Sequence, residues 1–277
     1  MVVSKIASMN VSADGGQCEI VAVALQKGGV GKTTTTINLG ASLAAMGFRV
    51  LLIDMDQQAH STKGLGVDLG ADDASMYEVL HPDRALRVPL LQVIRPSEFG
   101  IDVAPGHLAL KELERTGLGS GGQLRLARHL DDLEGYDFVL MDCPPALGEL
   151  TTAALAAADY VLAVLKAGPD EIDGLVELGN AVLDVQETLN SDVEIRYVLL
   201  ADFDGNPKAS KDVRRQLRTD WGEWSAGGAY LGEIPHTVRV VEAKGKRVPV
   251  QVHAPTCTAA VAYREIAERI VARRQAA

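Results

Sequence analysis

Aromatic residues make up only 4% of this 277-residue chain. Its core is therefore expected to be aliphatic, built largely on Ala, Val and Leu. Cysteine is scarce, and Cys18, Cys143 and Cys257 stand far apart with no CxxC pair. That spacing excludes a disulfide framework and a cysteine-rich metal site, and it fits a reducing compartment. No apolar run followed by a cleavage site marks a secretory signal. The most apolar stretch, 153–167, is short, Ala-rich and interrupted by Asp159, which argues against a membrane-spanning helix. A cytoplasmic protein is expected. Positive charge is also in deficit: the formal net charge is −10, a poor starting point for binding nucleic acid. No repeat, low-complexity tract or Pro/Gly-rich linker divides the chain.

What is present reads as globular, with 47% hydrophobic and 23% charged residues. Residues 1–18 are polar and are expected to form a flexible N-terminal arm, with 19–277 as one domain. Short apolar runs at 20–25, 49–54, 101–104, 138–142, 160–165, 195–201 and 229–234 predict strands. The first and fourth are apolar throughout, as strands buried on both faces are. Helix-period segments lie at 33–46, 124–133, 150–158, 172–189 and 258–274. In 172–189 the apolar face is drawn through Ile172, Leu175, Val176, Gly179, Val182, Leu183, Gln186 and Leu189. Alternating strands and helices predict an α/β fold: a doubly wound, mostly parallel sheet flanked by helices, with ligands at the carboxyl ends of strands.

The first strand runs into Gln26-Lys27-Gly28-Gly29-Val30-Gly31-Lys32-Thr33-Thr34 and then a helix. The glycines let backbone N–H groups converge on phosphate oxygens, and the helix offers its positive end to the same anion. Lys32 supplies charge for the outer phosphates and Thr33 a hydroxyl for Mg²⁺. A strict P-loop would have Gly where Gln26 stands; this chain has Lys27 in addition. The fourth strand ends in Asp142 after four apolar residues, a Walker B pattern in which the carboxylate reaches Mg²⁺ through water. Cys143 behind it reads as a small buried residue. The second strand ends in Asp54-Met55-Asp56-Gln57-Gln58, whose two carboxylates at i and i+2 share one side.

KGGVGKTT resembles the deviant Walker A signature of the ParA/MinD family of P-loop ATPases. The resemblance extends to LLIDMDQQ, to DCPP after Asp142, to IPHTVRVVEA at 234–243 and to the 253–264 segment, and so spans about 20–272. It implies a P-loop NTPase fold, ATP/ADP and Mg²⁺ as cofactors, and slow, partner-stimulated ATP hydrolysis. By resemblance Asp56 orients the attacking water, Asp54 supports the Mg²⁺ shell beside Thr33 and Asp142, and Pro235, His236 and Val238 lie beside the base. Lys27 would cross to the partner's phosphates in an ATP-sandwich homodimer. With Lys32 and Asp56 it forms the expected catalytic set; the nucleotide set is Lys27, Gly28, Gly29, Val30, Gly31, Lys32, Thr33 and Thr34 with the three base contacts. The expected partners are non-specific DNA and a ParB-like centromere-binding protein that stimulates hydrolysis, in chromosome or plasmid segregation. The expected place is the cytoplasm, on the nucleoid.

Two basic clusters are candidates for DNA. On a predicted helix at 207–218, Lys208, Lys211, Arg215 and Arg218 share one face, opposite Ala209, Val213 and Leu217. The same stripe equally fits an ordinary solvated face. Arg239, Lys246 and Arg247 form the second cluster, which alternatively serves the nucleotide or the dimer. The sequence departs from the family at DQQAHST, where DPQGNAT is usual, at 166–170, and after Glu242-Ala243. The runner-up is a MinD-like positioning ATPase cycling on a membrane. It would need an amphipathic C-terminal anchor, for which Ile266, Ile270 and Val271 in an Ala-rich helix are weak material. A stable membrane anchor is not expected.

Overall fold

The computed structural model describes residues 17–276. The arm expected at 1–18 lies almost wholly outside them. One eight-stranded sheet runs through the fold. Its strands are β1 (Glu19–Ala24), β2 (Val50–Asp54), β3 (Arg95–Pro96), β4 (Ile101–Ala104), β5 (Phe138–Asp142), β6 (Tyr160–Leu165), β7 (Ile195–Phe203) and β8 (Tyr230–Pro235). The order is β3-β4-β2-β5-β1-β6-β7-β8, and only the β3–β4 pair is antiparallel. All seven strands expected from the sequence are present. The short edge strand β3 was not foreseen: its two residues carry no period, and pairing with β4 alone defines it.

Among the described residues twelve α-helices connect and cover the strands. They are α1 (Lys32–Ala45), α2 (His60–Gly64), α3 (Met76–Leu80), α4 (Leu90–Val93), α5 (Leu110–Thr116) and α6 (Arg125–Asp131). Then follow α7 (Glu149–Ala157), α8 (Pro169–Thr188), α9 (Lys208–Trp221), α10 (Val238–Gly245), α11 (Val250–His253) and α12 (Thr258–Ala276).

Side chains alternate across each central strand, so β1 and β5 feed two cores. Val21, Val23, Phe138 and Leu140 pack with α1 and α12; Ile20, Ala22, Val139 and Met141 pack with α3 and α5 to α9. Both faces are buried, which is why these strands lack polar alternation. In α8 the buried stripe is Leu175, Leu178, Val182 and Val185, whereas Val176 and Leu183 are 60% and 57% exposed. The sequence-drawn face was too wide: a helix on a sheet buries a stripe, not half its circumference. In α12, Ala259, Ala260 and Ala267 are fully buried and let the helix lie close to α1 and β8. Ile266, Ile270 and Val271 are buried in that seam. Among the described residues no helix is long and apolar enough to cross a membrane.

Candidate functional site

The site forms at the centre of the sheet, where β1 sits between β5 and β6 and crossovers leave in opposite directions. The glycine-rich turn joins β1 to α1. Gly29 and Gly31 have φ of +78° and +105°. A Cβ on Gly31 would lie 2.9 Å from the Cβ of Ala201 on β7, so the turn needs glycine there for conformation and for closeness. Gly31 caps α1, whose first turn holds Lys32, Thr33 and Thr34.

Lys32 and Lys27 stand in different settings. Lys32 is 6% exposed, and its Nζ donates to the carbonyls of Leu25 (3.0 Å) and Lys27 (2.8 Å), inside the turn. Burial lowers the pKa of this amine, and the charges of Asp142, Cys143 and Asp56 oppose the shift. Lys27 lies outside the turn, half-exposed, with its Nζ 3.1 Å from Glu171 Oε1 in the first turn of α8. Glu171 is a site neighbour the sequence did not reveal, because the pair spans 144 positions.

Asp54 and Asp142 are register partners on β2 and β5, so their side chains share one face. Both are fully buried. They differ in what they bind. Asp54 Oδ1 accepts from the Asp56 amide (3.1 Å), and Oδ2 accepts from the Thr62 amide (2.9 Å) and hydroxyl (2.6 Å). Thr62 Oγ1 in turn accepts from the Gly106 amide (3.0 Å). Asp54 therefore acts as the knot that ties α2 and the β4–α5 loop to the strand end. Gly106 is required in that knot: a Cβ there would fall 2.8 Å from Asp54 Cγ and 2.9 Å from the Asp56 carbonyl oxygen. Neither Gly106 nor Thr62 was singled out from sequence.

Both oxygens of Asp142 are buried without a hydrogen-bond partner. Burial pushes this carboxyl up to about 8, the Asp54 charge adds to the rise, and the Thr33 and Ser61 hydroxyls oppose it. A buried carboxylate with free lone pairs beside a threonine hydroxyl is a hard oxygen set suited to Mg²⁺, which takes few protein ligands and keeps waters. Among the described residues no group of three or more His, Cys, Asp or Glu could hold a metal on its own. Asp56, 8% exposed, accepts from the Gln58 amide at 2.9 Å and starts the turn into α2. Cys143 is 1% exposed, and burial followed by the Asp142 charge pushes its thiol up to about 12, which disfavours a nucleophile.

The expected base contacts lie at the end of β8. His236 Nδ1 is 2.7 Å from Asp202 Oδ1, and Asp202 also pairs with Lys166 at 2.9 Å. Asp202 has φ +54°, a strained conformation for a non-glycine residue. Pro235 ends β8, and Val238 opens α10 at 61% exposure.

The basic clusters are only partly free. On α9, Lys208, Lys211 and Arg215 are exposed, although Arg215 pairs with Asp212. Arg218 is turned inward, onto Glu223 (3.5 Å) and Glu233 (3.2 Å). The buried seam of α9 is Ser210, Val213 and Leu217; Ala209 is exposed. Arg239 pairs with Glu242 and Arg247 with Asp68. Lys246 and Arg247 line a groove of about 510 Å³ with Arg95 and Phe99.

The sequence model of the AAA domain family matches residues 18–195. The sporulation initiation inhibitor protein Soj of Bacillus subtilis is 35% identical over 258 residues, which cover 92% of this chain and 98% of that protein. The chromosome-partitioning ATPase Soj of Thermus thermophilus is 38% identical over 258 residues, covering 93% and 97%. Among solved structures, cobyrinic acid a,c-diamide synthase from Mycobacterium smegmatis with bound ADP and magnesium superimposes with a TM-score of 0.77. It is 30% identical and covers 94% of this chain and 96% of that one. The chain belongs to the ParA/Soj-type family of partitioning ATPases.

Proposed function

We propose that this protein is a Mg²⁺–ATP-driven partitioning switch: ATP pairs two copies, the pair binds DNA without sequence preference, and hydrolysis releases it. The observation that carries this reading is the division of labour between two lysines. Lys32 is folded into the turn, where it meets the β- and γ-phosphates. Lys27 is outside, with a carboxylate of α8 as a partner. A lysine so placed reaches a second nucleotide more readily than its own, and it would exchange Glu171 for a phosphate of the partner's ATP.

Thr33 and Asp142 would hold Mg²⁺, which when bound neutralises charge on the phosphate oxygens. Asp56 orients the attacking water, its side chain aimed by the Gln58 amide. Asp54 supports the shell indirectly, since its oxygens are taken by Thr62 and Asp56. Lys27 adds positive charge to the developing phosphoryl charge only when two copies meet, so hydrolysis is tied to pairing. Pro235, His236 and Val238 border the base. DNA contacts are assigned first to Lys208, Lys211 and Arg215, then to Lys246. Two weak patches on one dimer give avidity that a single acidic chain lacks. A ParB-like protein would stimulate turnover and reset the cycle on the nucleoid. The apolar side of α12 is buried on α1 and β8. It is not offered to a membrane, so the MinD-like alternative gains no support.

The deciding experiment measures mass by light scattering, and DNA co-sedimentation, with ATP or ADP. Wild type should pair and sediment with DNA in ATP only. Lys32→Ala should lose nucleotide binding, Lys27→Ala should bind nucleotide without pairing, and Asp56→Ala should bind nucleotide without turnover. Pairing of Lys27→Ala at the wild-type level would refute the reading.

A further inference from the structure

Ser61 is the residue of the site whose chemistry no partner explains. It lies in the first turn of α2, is fully buried, and its hydroxyl has no hydrogen-bond partner. Leaving a buried hydroxyl unpaired costs about 1–3 kcal/mol, so an orphan of this kind needs a reason. Its neighbour Thr62 is fully engaged: hydroxyl and amide both donate to Asp54 Oδ2. Asp54 and Asp142 face the same side in register. The segment is drawn against that strand pair further back in the chain, where the Met55 amide donates to the Asp142 carbonyl oxygen at 3.0 Å. The α2 turn therefore brings two hydroxyls to two carboxylates. One hydroxyl–carboxylate pair is closed; the Ser61 hydroxyl, close to both carboxyls, is left as an orphan donor beside Asp142, whose two oxygens are orphan acceptors.

We propose that Ser61 is a positioning residue of the Mg²⁺ site, whose hydroxyl holds the Asp142 carboxylate in the orientation from which it reaches the metal's water shell. Ser61 does not itself touch substrate. It acts as an outer partner of a ligand, and such partners fix ligand orientation and charge. Ser61 also lies two residues beyond Ala59, whose φ of +51° carries the chain from Asp56 into α2. A grip between Ser61 and Asp142 would thus tie metal binding to the segment that carries Asp56. The proposal rests on the nucleotide reading of the site given above.

The test uses the full chain, ADP and Mn²⁺ as a paramagnetic stand-in for Mg²⁺, with free Mn²⁺ read by electron paramagnetic resonance. Ser61→Ala should weaken Mn²⁺ binding to the ADP complex by about tenfold, within the range typical for outer partners of metal ligands. ADP binding in EDTA should be unchanged. Ser61→Thr keeps the hydroxyl and should stay within about threefold of wild type. Mn²⁺ binding by Ser61→Ala equal to wild type would overturn the proposal alone. Equal weakening by alanine and threonine would point to packing and overturn it too. A wild-type protein that binds no Mn²⁺ with ADP would overturn the nucleotide reading and this proposal with it.

Discussion

The sharpest consequence of the site is that its metal carboxylate should destabilise the nucleotide-free protein. Folding moves the Asp142 carboxyl from 3.8 to about 8, chiefly through burial and then through the Asp54 charge. The unfolded chain gives up this proton near pH 4, while the folded chain keeps it until about pH 8. Between those values the folded state carries the additional proton, so stability falls as pH rises. The full loss above that window is on the order of 5 kcal/mol, at 1.36 kcal/mol for each tenfold change in proton affinity. Asp142→Asn removes the titration and keeps the shape. The new amide is itself buried without partners, which returns about 1–3 kcal/mol. The net expectation is that Asp142→Asn is about 3 kcal/mol more stable than wild type at pH 8 and no more stable at pH 4.5. Urea unfolding of both proteins without nucleotide, at half-unit steps from pH 4.5 to 9, measures this as a difference. Glu19 and Glu114, whose carboxyls burial also raises, contribute to both curves and largely cancel, whereas Asp54 loses the neighbouring Asp142 charge in the variant and its contribution belongs to the measured difference. With Mg²⁺ and ATP the gap should narrow, because wild type gains ligand stabilisation of about 2.7 kcal/mol at a hundredfold excess over Kd and the variant loses its metal-dependent part. Parallel pH curves for the two proteins would refute the argument.

Further expectations concern the frame around the site. Ala59 occupies a left-handed conformation where glycine is at ease, so Ala59→Gly should raise the unfolding free energy from urea titration slightly, by about 0.5 kcal/mol after the added freedom of the unfolded chain is subtracted. Gly106→Ala should cost about 2–3 kcal/mol and weaken nucleotide binding, because the new methyl meets the hydrogen-bonded Asp54 carboxyl and the backbone oxygens of Asp54 and Asp56, none of which can swing away. Glu171→Gln removes from Lys27 a partly exposed ion pair worth up to about 1 kcal/mol. ATP-dependent pairing in sedimentation velocity should then tighten by up to about fivefold; weaker pairing would contradict a restraining role. The double change Lys208→Glu and Lys211→Glu should weaken DNA binding and lower its salt slope by about 2. Arg218→Ala should leave that slope unchanged, since Arg218 is engaged with Glu223 and Glu233.

The strand-and-helix order, the glycine-rich turn between β1 and α1 and the strand-end carboxylate of Asp142 were legible in the chain because each rests on local physics. Apolar runs set the strands, glycines permit the positive φ of Gly29 and Gly31, and Asp142 ends its strand by position. Width was misread in α8, where period alone does not say how much of a helix the sheet covers. The basic stripe on α9 was also incomplete as read: spacing put Arg218 on the exposed face, but Glu223 and Glu233 draw it inward.

What the sequence could not specify was the division of roles among like residues. Asp54 and Asp142 read alike as strand-end acids. Only the return of Thr62 and Gly106 to β2 closes one and leaves the other open. The two lysines of the turn had separate expected roles, but that Lys27 has a carboxylate partner emerges only when α8 brings Glu171 to it across 144 positions. Local patterns determined which groups the protein carries. Tertiary contacts between distant segments decided which buried oxygens remain free to bind, because burial makes each hydrogen-bond partner present or missing a matter of kilocalories.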